Sequence, residues 1–313
     1  MLKFILSRIA SAIPTLFIVS IVVFAIVRLI PGDPAELMLG DDALPGQVEE
    51  LRARLGLDHP LPLQYLYWLR NVLAGDFGVS INSGQPVLQL VLDRFAISAP
   101  IVVIALTLAA LVAVPVGLWA AWRQNSATDT ALVSLVTLLM SIPGFWLGLI
   151  ILTVFGLILG WFPVVGFVSF KSDWVGALKY LAMPVFTLFL VEIGSLVRMT
   201  RASTISVARL EYITHARAKG LSEGQIIRRH ALRNSFAPTW TLLGLSLGGL
   251  LGGIAITETV FTIPGLGRLL VDSIYGRDYP VVQGCILLIT FIYVVVNLLV
   301  DLVYPLLDPR VTE

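Results

Sequence analysis

Six apolar runs, each near the length that crosses a bilayer, constrain this chain more than any other feature of its sequence. They occupy about 9–30, 98–122, 131–159, 178–197, 236–258 and 281–305. A transmembrane helix needs roughly 20 apolar residues. In lipid the backbone must satisfy its own hydrogen bonds, so such runs are helices. The expected fold class is therefore all-α, a polytopic membrane protein with six transmembrane helices. Composition agrees, with 57% hydrophobic and 13% charged residues, against roughly 25% charged in soluble domains. A net charge of +1 gives no bulk electrostatic case for nucleic acid.

The first run, after Lys3 and Arg8, is longer than the 7–15-residue core of a signal peptide and has no A-x-A site behind it. It reads as an uncleaved transmembrane helix within 1–30. The third run exceeds one span, and Pro143 is placed to kink it. Between the fourth and fifth runs, Arg198, Arg201, Arg209, Arg217, Lys219, Arg228, Arg229 and Arg233 face only Glu211 and Glu223. Lys3, Arg8, Arg123 and Arg310 fall on the same side of a six-span chain. The segment 31–96 is acidic (Asp33, Glu36, Asp41, Asp42, Glu49, Glu50, Asp58, Asp76, Asp93). The excess of Lys and Arg marks the cytoplasmic side, so both termini are expected inside. Residues 31–96 then form an external loop domain, 97–305 a five-span core, and 198–235 a cytoplasmic segment within it. The external loop is expected to hold helices at 47–56 and 63–74, the second with an apolar face of Leu63, Leu66, Trp68, Leu69 and Val72.

Catalytic readings find little support. Asp76-Phe77-Gly78 matches a kinase string but lacks its partners and reads as a turn. No phosphate-binding G-x-x-x-x-G-K-[ST] and no H-E-x-x-H occurs. His59, His215 and His230 lie outside the runs. Gly244-Leu245-Ser246 in the fifth run has no His or Lys at membrane depth to act as base. Cys285, the only cysteine, sits in an apolar run as a packed thiol. The reading has no catalytic residue, no metal site and no cofactor bound by this chain.

Two regions carry the candidate sites. In the fifth run Gly244, Gly248 and Gly252 form one small-residue ridge, with Gly249 and Gly253 on another. Glycines four apart let helices approach closely in lipid, either inside the chain or as a sliding contact at the centre of a dimer. Glu192, Glu258 and Asp301 are ionisable residues at membrane depth, which suggest a pathway, though Glu258 and Asp301 also suit the interfaces and Glu192 could pair with Arg198. An ion-coupled secondary transporter using these carboxylates is the rival reading. On the cytoplasmic side, helix-forming residues up to Lys219 end at Gly220. Ser222 and Gln225 then read as a capping box opening a second short helix. The result is a compact basic knob for docking a partner or contacting lipid.

Here the sequence resembles the permeases of bacterial dipeptide/oligopeptide ABC importers. The stretch Thr214-His215-Ala216-Arg217-Ala218-Lys219-Gly220-Leu221-Ser222-Glu223, continuing to His230-Ala231-Leu232-Arg233-Asn234, is similar to that branch's "EAA" loop. Ala216, Gly220 and Leu232 match the general pattern; Thr214, His215, His230 and Arg233 depart from it. Further matching strings are Pro31-Gly32-Asp33-Pro34, Leu55-Gly56-Leu57-Asp58, Gly75-Asp76-Phe77-Gly78, Glu258-Thr259-Val260-Phe261, Pro264-Gly265-Leu266-Gly267 and Arg277-Asp278-Tyr279-Pro280. The resemblance implies a type I ABC importer permease in the bacterial inner membrane, carrying di- or oligopeptides. It also implies a homologous second permease, two ATP-binding subunits that hold ATP and Mg, and an external substrate-binding protein. Residues 97–305 would be the permease core. Tyr212, Ile213, Thr214, His215, Ala216, Arg217, Ala218, Lys219 and Gly220 would form the ATPase-coupling helix, with Ala216 buried in an ATPase pocket. Gly244, Gly248, Gly252 and Glu258 are the translocation-path candidates.

Overall fold

Long helices form where the sequence has long apolar runs, and several extend well past them. A computed structural model describes residues 2–29, 35–36, 46–54, 56–169 and 172–307. The Pro31-Gly32-Asp33-Pro34 string, Leu55 and Arg310 lie outside the described residues. Among the described residues the structure is helical, with one isolated β-bridge between Val79 and Pro86.

The long elements are α1 (Leu2–Leu29), α4 (Val87–Trp122), α7 (Trp174–Ala208), α10 (Leu232–Gly253) and α13 (Tyr279–Leu307). Two short helices, α2 (Gln47–Arg54) and α3 (Leu61–Leu73), occupy the first loop. The third run is two helices, α5 (Ala127–Ser141) and α6 (Gly144–Ile151), the latter continued by a π-helical turn, Leu152–Ile158. The two halves meet at 94°. The break falls at Pro143, where a kink was expected, and is sharp enough to divide the run into two helices. Proline disfavours the α conformation in the residue before it, and Ile142 is extended (φ −88°, ψ 124°) just ahead of Pro143. Among the described residues four helices are long and apolar enough to cross a membrane, and the bent pair makes a fifth if counted as one span.

The core is built on α4 and α7, which share the most extensive helix contact. Gly117 makes it possible: a Cβ there would press on Thr200 and on the Val197 carbonyl. Buried Ile101, Val102 and Ala105 of α4 meet Leu181, Met183, Val185 and Leu188 of α7. Small and branched side chains let backbones approach where lipid offers little hydrophobic drive.

Polar contacts gather at two opposite ends. At one end Arg8 pairs with Asp301 at 3.2 Å, and Arg201 grips both oxygens of buried Asp129 at 2.7 Å. Arg233 there donates to the Leu306 carbonyl at 3.1 Å. At the other end the first loop is stapled down. Tyr65 of α3 shares a 2.8 Å hydrogen bond with Ser20 of α1, and Phe24 packs on Tyr65 and Trp68 with ring centroids 5.5 and 5.6 Å apart. The loop helix therefore leans on the membrane domain through Tyr65 and Trp68. Leu63 and Leu66, expected on its apolar face, are exposed.

Candidate coupling site and translocation path

At the end marked by Arg201 and Arg233, α8 (Glu211–Ala218) and α9 (Glu223–Ile226) fold into the expected knob, followed by a π-helical turn, Ile227–Ala231. Gly220 adopts φ +78°, a left-handed conformation that glycine takes without steric cost. It ends α8 and lets Leu221 N–H bond back to the Ala216 carbonyl at 3.3 Å. The capping box is formed by both of its hydrogen bonds, Ser222 to Gln225 and back.

Knob residues divide by face. Ile213 and Ala216 are buried at 0% and 5% exposure, packed with Val207, Ile226 and Ala231 and flanked by Trp122 and Tyr212. This corrects the expectation for Ala216: it fills the knob's own core and is not free to enter a partner's pocket, and Ile213 shares that role. Tyr212 is half-buried, accepting from Asn234 at 2.9 Å. Thr214, His215, Arg217, Ala218, Lys219 and Gly220 are exposed, and Leu210 just before the helix is 43% exposed. Leu210, Thr214 and Ala218 recur every four residues, so they line one outward stripe.

The knob is tied to the core by Glu223, which accepts from the Trp122 indole at 2.7 Å and from Arg217 at 2.9 Å. Those hydrogen bonds, Arg217's first, hold the Glu223 carboxyl below the ordinary glutamate range. Sequence reading missed this link because Trp122 and Glu223 lie far apart in the chain.

The glycines of α10 also divide. A Cβ on Gly244 would overlap Val300, and one on Gly248 would overlap the Tyr293 ring. That ridge packs α10 on α13 inside the chain. Gly252, placed with them by spacing, belongs with Gly249 and Gly253: all three meet open space. With Leu245 (46% exposed) and Ile256 (57% exposed) they form the unpartnered face of this segment.

Glu258 is a correction. It is fully buried in α11 (Ala255–Val260), accepting from Ser98 of α4 and from the Arg268 N–H, the latter at 2.8 Å. Arg268 is in the first turn of α12 (Leu266–Tyr275), whose free N–H groups favour an anion. Gly265 leaves room for the carboxylate, since a Cβ there would occupy its position. Ser98 also accepts from the Leu266 N–H at 2.7 Å. All these partners are internal, so Glu258 caps a helix and does not stand free in a passage. Asp278 plays a similar part nearby, buried and accepting from Ser80, Ile81 and Asn82. Of the three membrane-depth carboxylates, Asp301 belongs to the pair with Arg8. Glu192 is half-buried and accepts from Ser246 at 2.6 Å. Its suggested partner Arg198 instead contacts Met140 Sδ at 3.7 Å.

Comparison with known proteins gives these sites a family. Residues 113–313 match the binding-protein-dependent transport system inner membrane component, and residues 1–102 match the N-terminal part of such membrane components. The chain is 42% identical over 311 residues to a Brucella abortus (strain 2308) protein named as a peptide transport system permease, covering 99% of each. It is 40% identical over 308 residues to a protein of Sinorhizobium fredii named as a peptide ABC transporter permease, covering 98% of each. It is 39% identical over 311 residues to the glutathione transport system permease protein of Escherichia coli (strain K12), again with 99% of each covered. The chain belongs to the binding-protein-dependent transport system inner membrane components, as a multi-pass permease subunit of an ABC importer and not an enzyme.

Proposed function

We propose that this permease carries short peptides, and that its knob is the coupling element on which the ATPase subunits act. The observation that carries the mechanism is the division of the knob. Its core holds α8 rigidly, while Leu210, Thr214 and Ala218 point outward as a small, partly apolar stripe. A partner groove can receive a stripe of small residues closely. Because α8 follows α7 directly and α10 follows the knob, force on the stripe reaches two long helices at once. Peptide cargo follows from full-length similarity to the peptide and glutathione permeases. Assembly is proposed with a second homologous permease, two ATPases holding ATP and Mg, and an external substrate-binding protein.

The chain is read as six spans with both termini inside, α10 being the span that length and composition alone do not count. Its first residues lie by Thr200, with Thr239 and Thr200 hydroxyls 3.0 Å apart, and α11 beyond it reaches Ser98. It thus runs between the two polar ends. The knob end gathers the arginines, and on the positive-inside rule we assign it to the cytoplasm. Ion-coupled transport loses two of its three carboxylates to internal contacts. Co-purification tests the proposal: the tagged chain should bring down an ATP-binding pair, and recovery of a chain free of ATPase would sink it.

A further inference from the structure

Helix α8 is held at its start by the chain itself, since its N-cap Leu210 follows closely on α7, and it ends near Gly220, where the chain turns away at φ +78°. A push on Ala218, at the far end of the outward stripe, tilts such a helix about Leu210 unless that end is braced. Glu223 supplies the brace. Its Oε1 accepts from Arg217 Nε at 2.9 Å, and its Oε2 accepts from Arg217 Nη2 at 3.3 Å and from the Trp122 indole at 2.7 Å. One carboxylate thereby joins the last turn of α8, beside Ala218, to the last residue of α4.

The Trp122 ring also flanks the knob's core, but apolar contact is non-directional and sets a distance more than an angle. Charge-assisted, two-pronged hydrogen bonds add the geometry that apolar contact lacks. Holding the knob folded is a poor account of this bridge. Arg217 and Glu223 are 42% and 52% exposed, and exposed ion pairs add little to stability. The cap of α9 is made by Ser222 and Gln225, without the Glu223 side chain.

Helix α4 carries the connection to the opposite end of the molecule. It continues through Pro100 and Pro115 for 36 residues, about 54 Å at 1.5 Å per residue. Near its start Arg94 donates to the Pro264 carbonyl at 3.0 Å, and Ser98 donates to Glu258. Both contacts grip the corner between α11 and α12, just past the open glycines of α10.

We infer that Glu223 is a positioning residue for coupling: with Trp122 it sets the pitch of α8 and makes α4 a line of transmission between the knob and the α11–α12 corner. The inference rests on the reading of the knob as the coupling element.

The test uses the whole transporter in reconstituted vesicles, with ATPase activity read before and after the external binding protein is added. Basal activity reports docked ATPases, and the fold stimulation reports a signal carried across the membrane to them. Trp122→Phe removes the indole N–H and keeps a ring against the knob's core. The inference predicts unchanged basal activity and unchanged protease resistance within 209–235, with stimulation reduced about fivefold. Glu223→Ala should lower stimulation at least as much, and the double variant no further, because both remove one bridge. A merely structural bridge predicts that Trp122→Phe loses protease resistance or basal activity together with stimulation, and that result overturns the inference. Wild-type stimulation in Trp122→Phe also overturns it, as do losses that multiply in the double variant. Ala218→Glu separates the two readings: if it is impaired while Trp122→Phe is not, the brace alone falls. Wild-type stimulation in both, or a wild-type complex that the binding protein does not stimulate, overturns the coupling reading and this inference with it.

Discussion

A Cβ added at Gly248 would overlap the Tyr293 ring, whereas one added at Gly249 meets open space. Gly248→Leu should therefore destabilise the chain by about 1–3 kcal/mol, the usual cost of overpacking, and lower the melting temperature of the purified complex. Gly249→Leu should leave that temperature unchanged, so any transport defect it causes arises outside the chain's own packing. Equal melting temperatures for the two would contradict the assignment. Glu258→Ala strands the Ser98 hydroxyl and the first-turn N–H groups of α12. Leaving buried donors unmade costs about 1–3 kcal/mol, so this variant should melt lower even in complexes that never meet substrate. Glycine spacing placed these residues on one helix face or another, but it could not say which face had a neighbour. Tyr293 and Val300 decide that, and they arrive from a helix some fifty residues later.

At the scale of elements, the knob is a small folded unit with its own core. Ala216→Glu would force a charge among Val207, Ile226 and Ala231, where an unpaired charge costs several kcal/mol in order of magnitude. The expected result is loss of the knob itself, read as faster proteolysis within 209–235; wild-type resistance would contradict the burial. Glu223 supplies a pH prediction. Its pKa is depressed in the folded knob, so its contribution is present above the unfolded value of about 4.3 and fades only as pH falls through the lower folded value. Proteolytic resistance should then be flat from pH 8 to pH 6, and a loss within that window would contradict it. Helix ends, the glycine stop and the capping box were legible because they are local chemistry. The inward facing of Ala216 was not, because α8 is eight residues long and either face suited a small side chain. Likewise Pro143 announced a break, but the 94° angle depends on how α6 packs against α7 and α11.

At the scale of the whole molecule, the apolar runs and charge asymmetry made the helical, membrane-spanning character legible before any contact was known. The staples at the end opposite the knob were not legible. Ser80 meets Asp278 and Ser98 meets Glu258 across 198 and 160 residues of sequence, and each residue alone looks ordinary. The proposed orientation rests on the arginines at the knob end; under it a reporter active only outside the cytoplasm should give signal when fused at Gly46 and none at Glu223. Signal at Glu223 would reverse the orientation. The central claim is that ATP-driven motion enters this permease through the outward stripe of α8. Ala218→Glu tests it, because Ala218 is exposed and the knob's core is untouched. Peptide uptake should be measured alongside ATPase activity in reconstituted vesicles. The account predicts at least a tenfold loss of uptake, with the ATPase either released from the complex or hydrolysing without transport, and with the knob still protease-resistant. Wild-type uptake and wild-type, transport-coupled hydrolysis in Ala218→Glu would contradict it.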